Sequence, residues 1–365
     1  MTRARLRDLG ITIGVFPTGP DNAITDVPGI LVGHRTLIYD EPRVARTGVT
    51  VIMPRDGMIW ADNAFAGFFS FNGCGEMTGL PFIEEFGLLA SPIALTNTNQ
   101  VGLVHQSIVE YGVGKPSTFT FKLPVAAETW DGWLSDADAF HLTRTHVFEA
   151  LDSAASGPVA EGNVGGGTGM ICHEFKGGIG TASRMAETPD GRYVVGALVQ
   201  TNYGDRALLR VDGVPVGREI GPDHTPVSSR SALWSEPHKS GSIIVVLATD
   251  APLLPVQCKR LARRATVGLA RVGGTGHNTS GDIFLAFATG NHLPLEAQGL
   301  LDLKMLQHQR LDPLFDAAAE AVEEAILNAL TAAETMTGWQ GRTAHALPLD
   351  ELKRVMAKYR PHSLK

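Results

Sequence analysis

The chain has 365 residues, 44% of them hydrophobic and 19% charged, enough apolar material for the core of one large layered domain or two average ones. Its formal net charge of -7 comes from intermixed acids and bases without a basic block, which argues against nucleic acid or an anionic membrane as partner and leaves small molecules and peptides open. Cys74, Cys172 and Cys258 lie far apart and never as CxxC, so neither a disulfide framework nor a local zinc site is encoded. The opening MTRARLRDLGITIG lacks an apolar signal core, and no run of about 18 apolar residues occurs anywhere. A cytoplasmic protein is expected.

Forty-one glycines and 21 prolines punctuate short β-branched runs. The run VTVI at 49–52 predicts a buried strand, and the Asn/Thr-rich turn before 101 predicts a helix over 101–111. The stretches 130–160 and 204–240 read as long surface loops, separated by a strand at 193–199. A further strand is expected at 242–249. Pro255 suits a first helical turn, with Val256, Leu261, Ala265 and Leu269 recurring on one face. The turn GGTGHNTSG leads into a strand at 282–289, and Asp312-Pro313 caps and opens an Ala/Glu-rich helix reaching about 336. These alternating elements predict a mixed α/β fold. With neither linker nor repeat, 1–365 is read as a single domain.

Several motifs that promise chemistry are incomplete. The segment GNVGGGTGMICHEFKGGIGTAS, 162–183, invites a phosphate-loop reading, but no position gives GxGxxG and no P-loop lysine follows. Crowded backbone in tight turns near a site is the simpler reading. His173-Glu174 begins like a zinc helix, yet Gly177 stands where HExxH needs its second histidine. No serine sits in GxSxG, so the α/β-hydrolase elbow is missing.

One constellation remains. If the helix from Pro255 is an ordinary crossover, the strands beginning at Ser242 and Ser280 are parallel and start on the same sheet edge. Ser242 would then meet Ser280 and Asp282, which, two residues apart, share one face. A serine, a second hydroxyl and a carboxylate lack a base. Breaking the Gly241–Ser242 bond would supply one, because a free α-amine titrates at about 7.7 to 8.0 and sits on the nucleophile's own residue. Gly241 tolerates the strained backbone such a break needs. On spacing alone, Ser240-Gly241-Ser242 before a strand is also an ordinary turn.

The ordered segments NAITDVPGILVGH, RTGVTVI, NGCGEMTG, LTNTNQVG, LPVAAETWDG, GNVGGGTGM, FKGGIGTASR, LLRVDGVPVGREI, GSIIVVLATDAPLLP and NTSGDIFLAF cover nearly the whole chain. They resemble the self-processing β-aminopeptidases and L-aminopeptidase/D-amidase-esterases, relatives of the N-terminal-nucleophile hydrolases. The resemblance implies a four-layer αββα sandwich, cleavage between Gly241 and Ser242 into an α chain (1–241) and a β chain (242–365), and a homotetramer of these heterodimers. It makes Ser242 the nucleophile, with Ser280 and Asp282 orienting its amine. Some members carry Glu at the position of Asp282. By the same likeness Glu128 binds the substrate's free amino group, and the oxyanion is held by the Trp130 backbone N–H and the Asn202 side-chain amide.

The implied activity is hydrolysis of N-terminal α- or β-amino acids from short peptides, amides or esters, without metal or organic cofactor. Taken without the resemblance, Glu128 also reads as a solvated loop acid, Asn202 as a turn residue, and Trp130 with Trp133 as packing. Two other functions stay open: an uncleaved small-amine or peptide-binding protein of the same fold, and a Ser/His/acid hydrolase using His277 or His238.

Overall fold

The computed structural model describes residues 3–227 and 241–360. His238, one of the two histidines considered for a triad, and Ser240 lie outside the described residues. Along the chain the strands are β1 (Leu31–Tyr39), β2 (Ala45–Met53), β3 (Asp62–Gly73), β4 (Leu88–Leu89), β5 (Ile93–Asn97) and β6 (Val125–Thr129). Then come β7 (Ile171–Cys172), β8 (Phe175–Lys176), β9 (Gly178–Thr188), β10 (Gly191–Asn202), β11 (Gly241–Thr249), β12 (Ser280–Pro294), β13 (Met336–Thr337) and β14 (Thr343–Ala344). The helices are α1 (Leu80–Phe86), α2 (Val101–Tyr111), α3 (Arg144–Asp152), α4 (Val216–Glu219), α5 (Pro255–Ala262), α6 (Ala265–Val272), α7 (Asp312–Ala332) and α8 (Leu349–Tyr359).

A four-stranded sheet, β1-β2-β5-β6, faces a six-stranded sheet, β4-β3-β12-β11-β10-β9. Helices α2 and α3 cover the outside of the first sheet, and α5, α6 and α7 cover the second. The result is the αββα sandwich expected. Its core is doubled, which explains why β11 reads as an unbroken apolar run. Ile243, Val245 and Leu247 pack with Leu261, Leu269 and Val322 of the helix layer. Ile244, Val246 and Ala248 pack with Ile52, Leu95 and Ala127 of the facing sheet. A strand covered on both faces has no polar alternation to show.

β11 and β12 pair in parallel through the α5–α6 crossover, whereas the other neighbours in the six-stranded sheet are antiparallel. Two local expectations change. The apolar face projected from Pro255 is split into α5 and α6 around Arg263-Arg264, which breaks the helical phase; Leu261, Ala265 and Leu269 stay buried, but Val256 is 55% exposed. The helix opened by Pro313 has Asp312 already in its first turn and ends at Ala332, because Met336 pairs in β13. The predicted loops at 130–160 and 204–240 contain α3 and α4.

α7 is buried along most of its length, and its acids Glu320 and Glu324 are paired rather than solvated. Fully buried Arg184 of β9 contacts Glu320 at 3.0 Å and Glu324 at 2.6 Å. The close approach depends on glycine. A Cβ on Gly180 would lie 1.9 Å from the Ala325 carbonyl oxygen. Gly180→Ala is therefore expected to push α7 off β9 and cost about 1–3 kcal/mol, read as a lower urea midpoint; an unchanged midpoint would contradict this packing.

Candidate active site

The site grows from one register. Gly241 pairs with Ser280, Ser242 with Gly281 and Ile243 with Asp282 across β11 and β12, while Ser242 stands opposite Asn202 across β11 and β10. The predicted meeting of these segments is thus present. Gly241 itself is pressed against the neighbouring strand, for a Cβ there would lie 2.6 Å from Tyr203 Cα. Ser242 is 8% exposed, and its Oγ accepts a hydrogen bond from the Gly281 backbone N–H at 3.1 Å.

Strand alternation divides the residues between two faces. Ser242 follows Ile244 and Val246 onto the inter-sheet face, and Asn202 follows Leu198 onto the same face. Ser280 and Asp282 follow Phe284 onto the helix-facing side. Their predicted shared face is confirmed by the 2.7 Å bond that Ser280 Oγ donates to Asp282 Oδ1. So the pair flanks the backbone of Ser242, not its hydroxyl. On that side a small cavity, with room for about one water, is lined by Tyr203, Gly241, His277, Ser280 and Asp282. Burial pushes the Asp282 carboxyl up to about 6, against the lowering effect of the Ser280 hydroxyl and the Ile243 N–H. A water or amine in the cavity would meet Asp282, whose buried Oδ2 has no hydrogen-bond partner among the described residues. His277 borders this same cavity, across the sheet from Ser242 Oγ, which disfavours a serine–histidine pair.

Glu128 comes from the facing sheet. It occupies β6, 4% exposed, so it is not a solvated loop acid. One carboxylate oxygen accepts the Glu76 backbone N–H at 2.9 Å and the other accepts the Thr98 hydroxyl. Burial raises its pKa, the Thr98 and Glu76 bonds lower it, and the Glu76 charge adds a smaller upward push. Only glycine separates it from the strand beside Ser242. A Cβ on Gly75 would lie 3.2 Å from Glu128 Oε1 and 3.1 Å from Gly281 Cα.

Asn202 ends β10 and is likewise no turn residue; its Oδ1 accepts the Ile171 N–H at 3.0 Å and its Nδ2 donates to the Trp130 carbonyl at 2.9 Å. Trp130 is half-buried and packs on the cluster containing Trp133, so the packing role exists alongside its contact with Asn202. The contributions that spacing could not reveal are backbone ones: the Gly281 N–H on the serine and the glycine contact at Gly75. Backbone donors leave no residue-type signal, although the glycine-rich text around both was visible.

A serine at the tip of a central strand in an αββα sandwich, with an amide on its face and a buried carboxylate beyond Gly75, is the layout of an N-terminal-nucleophile type of hydrolase. The model of peptidase family S58 matches residues 22–344, and the chain belongs to that family. It is 45% identical to the beta-peptidyl aminopeptidase BapA of Sphingosinicella microcystinivorans, over 98% of this chain and 92% of that one. Among solved structures, a Burkholderia sp. beta-aminopeptidase superposes with a TM-score of 0.90 at 49% identity, covering 97% of this chain and 99% of that one. The L-aminopeptidase D-Ala-esterase/amidase of Ochrobactrum anthropi, described as a prototype for the serine aminopeptidases and a variant of the Ntn hydrolase fold, gives 0.91 at 44% identity and 99% coverage of both.

A carboxylate beside an amine favours its charged form, so Asp282 should raise the pKa of an α-amine at Ser242. In Asp282→Asn the acidic limb of kcat/KM is expected to move to lower pH, as the amine gives up its proton more readily. An acidic limb that stays in place or moves to higher pH would separate Asp282 from the base.

Proposed function

We propose that the protein is a self-processing serine aminopeptidase acting on short peptides, amides or esters with a free N-terminal α- or β-amino acid. The observation that carries this reading is the shared inter-sheet face of Ser242 and Asn202, with Glu128 just beyond Gly75. Processing begins when Ser242 Oγ attacks the Gly241 carbonyl carbon. The acyl group passes from nitrogen to oxygen, water hydrolyses the ester, and Gly241 leaves as a carboxylate while Ser242 gains a free α-amine. The α chain (1–241) and β chain (242–365) remain packed, since the break falls at a strand entrance and opens little core.

In turnover Ser242 Oγ attacks the scissile carbonyl and its proton passes to the α-amine of the same residue. Ser280 and Asp282, on the helix-facing side, hold that amine in place. The developing oxyanion is received by the Asn202 side-chain amide and the Trp130 N–H, fixed donors of the kind worth about 3–4 kcal/mol each. The amine returns the proton to the leaving nitrogen, and water hydrolyses the acyl-enzyme. The Glu128 carboxylate, already held by two donors, pairs with the substrate ammonium in a partly dry pocket. A tetramer of heterodimers in the cytoplasm is the proposed working form; among the described residues no helix is long and apolar enough to cross a membrane.

The ammonium contact makes the reading testable. Glu128→Gln should raise KM for a dipeptide by about 10- to 100-fold, as loss of a charged hydrogen bond of about 1.5–3 kcal/mol implies, with processing intact on a denaturing gel. The wild-type enzyme should leave the N-acetylated dipeptide uncut. Equal turnover of free and acetylated dipeptides would overturn the assignment.

A further inference from the structure

The glycine-rich stretch rejected as a phosphate loop surrounds a lysine that the proposed reaction does not use. Lys176, in β8, is completely buried, and its Nζ donates to three backbone carbonyls: Gly177 at 2.8 Å, Met170 at 2.9 Å and Gly167 at 3.3 Å. Three acceptors match the three N–H donors of an ammonium, although burial draws its pKa well below the usual lysine range.

One of these carbonyls leads to the site. The Met170 C=O and the Ile171 N–H belong to one planar peptide unit. Lys176 grips its oxygen end, which also accepts the Gly177 N–H at 2.9 Å. The other end donates to Asn202 Oδ1 at 3.0 Å. Asn202 in turn stands opposite Ser242, with its Nδ2 on the Trp130 carbonyl. The turn is pressed onto the same strand, since a Cβ on Gly177 would come within 2.7 Å of the Thr201 carbonyl oxygen. A donor on a peptide oxygen polarises that peptide and strengthens its N–H, so the chain of bonds tightens toward the amide.

We propose that Lys176 is a positioning residue that, through the Met170–Ile171 peptide, fixes the Asn202 side-chain amide for the oxyanion formed at Ser242. The proposal rests on the oxyanion role assigned to Asn202. It also gives the glycine-rich segment a purpose: glycines bring three carbonyls and the neighbouring strand close enough for one ammonium to order them.

The test is a double-mutant cycle of Lys176→Met, which keeps an apolar stem and removes every donor, with Asn202→Ala. Turnover of a free dipeptide is measured per mole of cleaved enzyme, alongside Tm. Lys176→Met alone should lower kcat by about 10- to 100-fold, less than or comparable to loss of an oxyanion donor, with KM changed less than about threefold. In the Asn202→Ala background the same substitution should change kcat by less than about threefold. A lysine that only supports the fold would lower Tm and leave kcat per cleaved enzyme near wild type, or its effect would multiply in full with that of Asn202→Ala. Either result overturns the proposal while sparing the role of Asn202. If Asn202→Ala alone leaves kcat unchanged, the oxyanion reading fails and takes the lysine's role with it. Should Lys176→Met not be recovered soluble, Lys176→Gln, with two donors on a shorter stem, enters the same cycle with the same deciding outcomes.

Discussion

The parallel pairing of β11 with β12 is the constraint on which everything else depends. It sets Gly241 beside Ser280, Ser242 beside Gly281 and Ile243 beside Asp282. A slip of one residue would exchange the faces of every side chain along the strand and carry the serine hydroxyl into the helix layer. Such a slip is blocked from both sides. Ile243, Val245 and Leu247 fill one core, and Ile244, Val246 and Ala248 fill the other. The long apolar run after Ser242 is therefore what fixes the position of the polar residue that starts it.

Because the serine lies in a sheet, its hydroxyl and its backbone nitrogen are served by different layers. The hydroxyl faces Asn202 and the Glu128 side of the sandwich, in contact with the Gly281 N–H. The nitrogen is flanked by Ser280 and Asp282, which belong to the helix-facing side. In the proposed enzyme this division lets a carboxylate tune the base without competing with substrate for the nucleophile. Glycines at 75, 241 and 281 make the closeness feasible: a Cβ on Gly281 would lie 2.6 Å from the Cys74 carbonyl oxygen and 2.8 Å from Gly75 Cα.

How much of this was legible varies with the distance over which the physics acts. Helix α2 was read with its observed ends, because a polar turn and a helical period are local signals. The pairing of Ser280 with Asp282 followed from a two-residue period and the usual crossover rule. Phase was harder to see: a single apolar face was projected from Val256 to Leu269, and the break at Arg263-Arg264 exposed Val256. Glu128 and Asn202 were named only through the family likeness. They arrive from β6 in the other sheet and from the end of β10, and no spacing rule connects those elements to β11. Lys176 and the Gly281 N–H were missed altogether. The lysine acts through a peptide bond, and a backbone donor has no letter of its own.

The central claim is that Ser242 begins a chain. Intact-mass measurement of the purified protein, with N-terminal sequencing of the smaller fragment, tests it most directly. The account predicts two polypeptides, the smaller beginning Ser242-Ile243-Ile244, and a single uncut chain for Ser242→Ala. A fully active wild-type protein that runs as one chain of 365 residues would contradict it.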